Sequence, residues 1–202
     1  VTSINSAEET ARRKIARADE VMRDTEIPAE LASRCHRHLT TVLLQKRLAL
    51  DTDEVFAELS GPLRAEVALH RCHKLMLSPN FLAIISGENG ELDPTFVKDL
   101  VTKLDLVAFA SDDFIVEAGD AGYEAYFLRS GRACVLAANG AELFELTPGT
   151  CFGEVALLIE GARRTASVVA LTFCDAYRIS RDDFTDTTAD YPDLRARMNT
   201  LA

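Results

Sequence analysis

At Leu106 the hydrophobic pattern of this chain changes period. Upstream, apolar residues recur at helical spacing; downstream they fall into short, alternating, β-branched segments punctuated by glycine. Such segments lie near 106–109, 113–117, 123–129, 132–138, 141–146, 166–171 and 173–179. Gly119, Gly122, Gly131, Gly140, Gly149 and Gly153 stand at the turns, where positive φ is often needed. Strands this short and this evenly spaced are expected to form an antiparallel roll or barrel. The expected fold is therefore α+β: helices first, then an antiparallel β-roll with flanking helices.

The helical part divides at clear stops. Residues 6–24 are polar and helix-forming, with Ser6 and Glu9 spaced as a capping box. Their apolar stripe, Ile15, Ala18, Val21 and Met22, is narrow for a helix of that length, so a partner subunit is expected to cover it. Pro28 opens a second helix, running to about Arg47, with Leu31, Cys35, Leu39, Val42 and Leu43 at helical spacing. Asp51–Glu54 caps a short third carrying Val55, Phe56 and Leu59. Gly61 ends it, and Pro62 begins a fourth with Leu63, Val67, Leu69 and Cys72. Asp93-Pro94 caps a helix with Phe96, Val97, Leu100, Val101 and Leu104 on one face. After the strands, 181–190 and 191–202 read as closing helices parted by Tyr191-Pro192.

Charge and cysteine content narrow the function. A formal net charge of −10 lacks the basic surface a general nucleic-acid binder needs, so no nucleic-acid partner is expected. The 5 cysteines include no Cys-x-x-Cys pair, which suits thiols used as small apolar residues in a reducing compartment. No apolar run is long enough to span a bilayer. With no signal-peptide pattern at Val1, the chain is expected to be a piece of a longer protein.

The chemistry concentrates in Phe152–Val168, FGEVALLIEGARRTASV. Phe152-Gly153-Glu154 leads into the apolar block Val155–Ile159, Gly161 turns the chain, and Arg163-Arg164-Thr165 follows before a strand begins. A glycine, a short helix and a returning arginine make an anion cradle. Glycine admits close backbone approach, the helix start offers unpaired N–H groups, and the guanidinium fork matches two phosphate oxygens. Glu154 repels an anion unless the ligand also brings hydroxyl donors, as a ribose 2′-OH does. The bland alternative is a surface strand–helix–strand connection with a solvated arginine pair. A lone Gly-Glu or Arg-Arg would fit that alternative; the whole ordered string does not.

This string resembles the phosphate-binding cassette of cyclic-nucleotide-binding domains, as in cyclic-nucleotide-regulated channels, protein kinase A regulatory subunits and bacterial catabolite activators. The resemblance implies cAMP or cGMP as the ligand, with no metal. It puts the ribose 2′-OH on Glu154 and the Gly153 backbone, and the cyclic phosphate on Arg164, helped by the Ala156 amide and Thr165. Val135, Phe144 and Leu146 take the places of the purine-lining residues, and Cys151, Phe152, Val155, Arg163 and Ala166 complete the set. The loop is one residue longer than in hyperpolarisation-activated channels, Ala162 being the insertion, which leaves the arginine register slightly open.

The helices before the roll resemble the C-linker that joins the pore to the nucleotide domain in hyperpolarisation-activated and cyclic-nucleotide-gated channels. The matching residues are Ile27-Pro28-Ala29, Leu59-Ser60-Gly61-Pro62-Leu63-Arg64-Ala65-Glu66 and Cys72-His73-Lys74-Leu75. Two departures stand out: a longer connector at Ser78–Leu92, and Ser111-Asp112 where the family has Pro-Gly. The resemblance implies a linker over 1–92 and a nucleotide-binding domain over 93–202, with only the start of its lid helix. It further implies a homotetramer through the linker, a pore domain elsewhere in the protein, and a place on the cytoplasmic face of a membrane. Two rivals use the same module. One is a soluble kinase subunit or transcription activator; the other is a non-binding domain of the ether-à-go-go channel type, which lacks the cassette's ligand residues.

Smaller constellations carry less. Cys35-His36-Arg37-His38 with His70 and Cys72-His73 fits no standard zinc spacing. Arg163-Arg164-Thr165-Ala166-Ser167 looks like a basophilic kinase site, with Ser167 expected along a strand and poorly accessible. No Ser-His-Asp set or carboxylate pair points to catalysis, and the chain is not expected to be an enzyme.

Overall fold

The computed structural model describes residues 2–45, 58–76 and 93–192. Among the described residues three helices come first: α1 (Thr2–Asp24), α2 (Ala29–Gln45) and α3 (Gly61–Met76). A fourth, α4 (Pro94–Thr102), leads into strands β1 (Asp105–Phe109), β2 (Phe114–Val116), β3 (Glu124–Ser130), β4 (Ala133–Leu136), β5 (Glu142–Leu146) and β6 (Cys151–Phe152). The short helix α5 (Val155–Leu158) precedes β7 (Ser167–Ala170) and β8 (Cys174–Ser180), and α6 (Arg181–Ala189) follows.

The strands make two four-stranded antiparallel sheets, ordered β1-β8-β3-β6 and β2-β7-β4-β5. The fold is α+β, a roll with helices against it. β3 shows why it holds together. Ala125 and Phe127 face a cluster with Phe96 and Leu100 of α4, Ile179 of β8 and Phe184 of α6. Tyr126 and Leu128 face the other way, into a cluster with Val135, Leu146, Phe152 and Val168 between the sheets. Burying a side chain of the size of Phe127 stabilises by about 1.5–3 kcal/mol. A strand buried on both faces reads as a continuous apolar run, as this one does.

The helices attach by caps and packing that the sequence announces. The Asp93 carboxylate accepts from the Thr95 and Phe96 amides at 2.7 and 3.2 Å, with Pro94 beginning α4. Leu69 of α3 and Leu104 pack against the same cluster as α4, and Tyr191 meets Phe96 edge to face at 5.1 Å. α1 and α2 form a hairpin turned at Glu26, whose φ is 53°. On α2, His38 Nδ1 meets the Asp113 carboxylate, and the same oxygen accepts the Ala110 amide at 2.8 Å, so this helix touches the roll at the β1–β2 turn.

Three expectations need correction. Ser6 lies inside α1, not at its cap, because nothing between Thr2 and Glu9 stops a helix from starting earlier. β6 went unseen: two residues, pairing Cys151 and Phe152 with Phe127 and Tyr126, are too few to show a period. Gly122 does not take positive φ, whereas Gly119, Gly131, Gly140, Gly149 and Gly153 do. Where the family has Pro-Gly, Asp112 takes φ 68°, a conformation that aspartate tolerates better than most side chains. Residues 51–57 of the third expected helix, the connector from 78 to 92 and the segment from 193 onward lie outside the described residues.

Candidate functional site

β6 delivers the chain to Gly153, where φ is 76°. A Cβ there would fall 2.6 Å from Arg164 Nη1 and 3.2 Å from the Glu124 carbonyl, so both the backbone and the space demand glycine. Glu154 follows at the head of α5 and makes no capping bond to it with its side chain. Ala156 and Leu157 anchor the helix, each 3% exposed. The Ala156 amide donates to the Gly153 carbonyl at 3.1 Å, a turn bond that occupies the N–H expected to face a phosphate. Gly161, at φ 74°, ends the excursion.

The two arginines then part. Arg163 is exposed, bridges to Ala121 in the backbone and donates from Nη1 to the Gly119 carbonyl at 2.6 Å. Arg164 is half-buried, with its backbone held by Asp120 and Gly119 at 2.8 Å each. Its Nη1 reaches the Gly153 carbonyl at 3.3 Å, and its Nε stands 3.3 Å from where a Cβ on Gly122 would be. Among the described residues no carboxylate pairs with Arg164, which leaves a part-buried cation to draw its compensation from carbonyls and from whatever enters beside it. Ser167 is half-buried at the start of β7, and its hydroxyl accepts the Ala118 amide at 2.9 Å.

These elements enclose one cavity of about 210 Å³. Gly153, Glu154, Val155 and Ala156 line one side, and Arg163, Arg164, Thr165 and Ala166 another. Cys151 and Phe152 form its back, and Val135, Phe144 and Leu146 its apolar wall. All thirteen residues singled out in the sequence therefore meet in one place. The wall is uneven: Val135 and Leu146 are core residues at 7% and 3% exposure, while Phe144, opposite Val135 on the neighbouring strand, is 59% exposed. Val116, Thr150, Ala162 and Val168 also line the cavity. Val116 and Val168 are register partners on β2 and β7, and their alternation was the signal that could have found them. Thr150 gave none.

The electrostatics keep the back of the cavity neutral. Burial, then the Glu154 charge, pushes the Cys151 thiol well above its ordinary range, so it stays protonated and acts as a small apolar group. Tyr126 stacks on Phe152 at 5.4 Å and donates to Glu124 Oε2 at 2.7 Å. Its hydroxyl is pushed above the usual tyrosine range by burial, then by the hydrogen bond and charge of Glu124, with Arg164 and Arg178 pulling the other way.

No three His, Cys, Asp or Glu side chains converge on a metal site among the described residues. His36 instead meets Asp19 at 2.9 Å, and His38 meets Asp113. Among the described residues Cys35, Cys134, Cys151 and Cys174 form no disulfide, and the last three are buried. No described helix is long and apolar enough to cross a membrane.

Residues 106–191 match the family model for the cyclic nucleotide-binding domain. The whole chain aligns with the potassium/sodium hyperpolarization-activated cyclic nucleotide-gated channel 2 of Mus musculus at 33% identity, covering 22% of that protein. It aligns with channel 1 of Rattus norvegicus at 31%, covering 21%, and with channel 4 of Oryctolagus cuniculus at 32%, covering 16%. The chain thus spans about a fifth of the length of these relatives, which are named as ion channels. With its helices before the roll, it belongs to the cyclic-nucleotide-binding family, as a C-linker and nucleotide-binding region of the hyperpolarisation-activated channel type.

Proposed function

We propose that the cavity binds cAMP or cGMP and that the bound state is passed through the helical linker to the pore of a cation channel. The observation that carries this is Arg164: a half-buried guanidinium set between Gly122 and Gly153, without a carboxylate partner among the described residues. Arg164 would hold the cyclic phosphate, Thr165 assisting. Glu154, with no capping duty, and the Gly153 backbone would take the ribose 2′-OH. Val135, Phe144 and Leu146 would lie along the purine. A cavity of about 210 Å³ with an apolar wall and a cationic end suits a small anion carrying a flat base.

Residues 1–92 would act as the linker and 93–202 as the nucleotide-binding unit. The proposal extends to a homotetramer built through the linker, a pore domain outside this chain, and a site on the cytoplasmic face of the membrane, as the resemblance to channel linkers implies. Ligand changes such a channel only by binding one arrangement of roll and linker better than the other. Calorimetric titration of the chain with each nucleotide tests the reading. Saturable binding of either one is expected, and absence of heat and of competition with both would overturn it.

A further inference from the structure

Behind the cavity one side chain clasps three backbone carbonyls. Arg181, the first residue of α6, donates from Nε to the Ala156 carbonyl at 2.5 Å and from Nη2 to those of Gly122 and Ile159 at 2.7 and 2.9 Å. Its guanidinium also sits 5.8 Å from the centre of the Tyr123 ring. The three carbonyls belong to two segments that no strand ladder secures, α5 with its end and the turn before β3. A helix of four residues leaves its last carbonyls without partners further along; Arg181 takes that of Ala156 and shares that of the C-cap Ile159, which also accepts the Ala162 amide at 3.3 Å.

The turn at Gly122 reaches the phosphate end of the cavity. Gly122 is buried, its N–H donates to the Ala162 carbonyl at 2.9 Å, and a Cβ on it would meet Ala156 Cβ at 2.8 Å and Arg164 Nε at 3.3 Å. A shift of this turn therefore presses on Arg164 or leaves it room to move.

Nothing in α6 itself calls for a cation at this position. Ser180 already caps the helix by accepting the Asp183 amide, and Asp182 and Asp183 supply acidic residues to its first turn. An arginine at that positive end opposes the helix dipole. Among the described residues it forms no ion pair; its donors are spent across the gap on α5 and Gly122.

We propose that Arg181 is a positioning residue of the nucleotide site: it locks α5 and the Gly122 turn onto α6 and so fixes where Arg164 stands. This rests on the cyclic-nucleotide reading above. The planar fork spans three acceptors in two directions, which an ammonium cannot do.

The test compares R181Q and R181K with the unaltered chain in three measurements: cyclic-nucleotide affinity, thermal midpoint, and ligand-free amide exchange at Gly122 and Ile159. Loss of one charge-assisted bond's worth of ordering predicts about tenfold weaker binding for R181Q, with faster exchange at both amides. R181K should recover only part, and it carries the comparison if R181Q does not fold. In an R164A background R181Q should cost much less than in the unaltered chain, because both act on one contact. A lowered midpoint with unchanged affinity of the folded fraction, or full additivity with R164A, would make Arg181 a structural residue only and overturn the proposal. If the unaltered chain binds neither nucleotide, the nucleotide reading fails by itself. The exchange measurement needs no ligand, and unchanged protection at Gly122 and Ile159 in R181Q would sink the clasp independently.

Discussion

Gly153 and Arg164 are in contact: the arginine's Nη1 donates to the glycine's carbonyl at 3.3 Å, and a Cβ on the glycine would fall 2.6 Å from that same nitrogen. The pair makes glycine a condition for the arginine's position. Gly153→Ala meets both a left-handed backbone, roughly 1–2 kcal/mol of strain for an L-residue, and a displaced guanidinium. The expected result is a modest fall in the thermal midpoint together with a loss of nucleotide affinity larger than that fall accounts for. Binding that survives unchanged in the folded fraction would detach Arg164 from the ligand.

The parting of the two arginines gives a sharper comparison. Arg163 is exposed and tied to Gly119, whereas Arg164 turns inward. Arg164→Ala should weaken cyclic-nucleotide binding by about ten- to a hundredfold, the worth of a charge-assisted contact, with the fold intact. Arg163→Ala should do much less. A larger effect at Arg163, measured by calorimetry, would mean that Ala162 shifts the register and that the phosphate contact belongs to the other arginine.

Phe144 separates wall from core. At 59% exposure it contributes little to packing, so Phe144→Ala should move the melting midpoint slightly, within about 0.5 kcal/mol of stability, while lowering affinity. Leu146→Ala is the control: at 3% exposure its loss should cost about 2–5 kcal/mol. If Phe144→Ala leaves affinity untouched, the base does not lie on β5.

How far the sequence led depends on the range of the interaction involved. The cassette was legible because its parts are local: Gly153, Glu154 and Arg164 lie within one turn–helix–turn. Asp93 was legible as a cap for the same reason, since its partners are two and three residues on. Phe144 and Leu146 both reached the cavity wall, but alternation gave no sign that one would be open to solvent and the other buried, which depends on what covers each face. β6 was hidden by its length, and Arg181 because its three acceptors are 22 to 59 positions away, beyond any spacing rule. Gly122 looked like a turn glycine; its requirement is space against Ala156 and Arg164, a property of packing and not of φ.

Alkali should loosen the roll. The Tyr126 hydroxyl is raised above its ordinary value by burial, then by Glu124, so the folded state holds its proton where the unfolded chain releases it. The stability this contributes is fully present below the unfolded tyrosine value of about 10 and is lost as pH rises from there toward the folded value. Tyr191, raised by burial and then by its bond to Asp99, adds to the same slope. Thermal midpoints measured from pH 8 upward should begin to fall near pH 10, and Tyr126→Phe should flatten that fall. An equal slope in the variant would assign the alkaline transition to other groups.

The helical linker carries the last expectation. α1 buries little by itself: among its described side chains only Ala11 and Met22 are buried, and Val21 is 44% exposed. Leu31 of α2 and Leu63 of α3 are likewise open, at 45% and 51%. A tetramer built through these helices would cover such residues with a neighbour's, by a head-to-tail contact that closes into a ring. In the proposed channel a membrane-embedded pore would raise the local concentration, so the isolated chain should associate weakly. Reciprocity then fixes a sign: if assembly and nucleotide binding favour the same arrangement, saturating nucleotide must strengthen association by the factor by which association strengthens binding. Sedimentation at several protein concentrations, with and without nucleotide, reads both sides of that equality. Leu63→Glu should abolish association while leaving monomer affinity for nucleotide intact. Monomers throughout, with saturating nucleotide, would count against the channel reading and leave the binding site untouched.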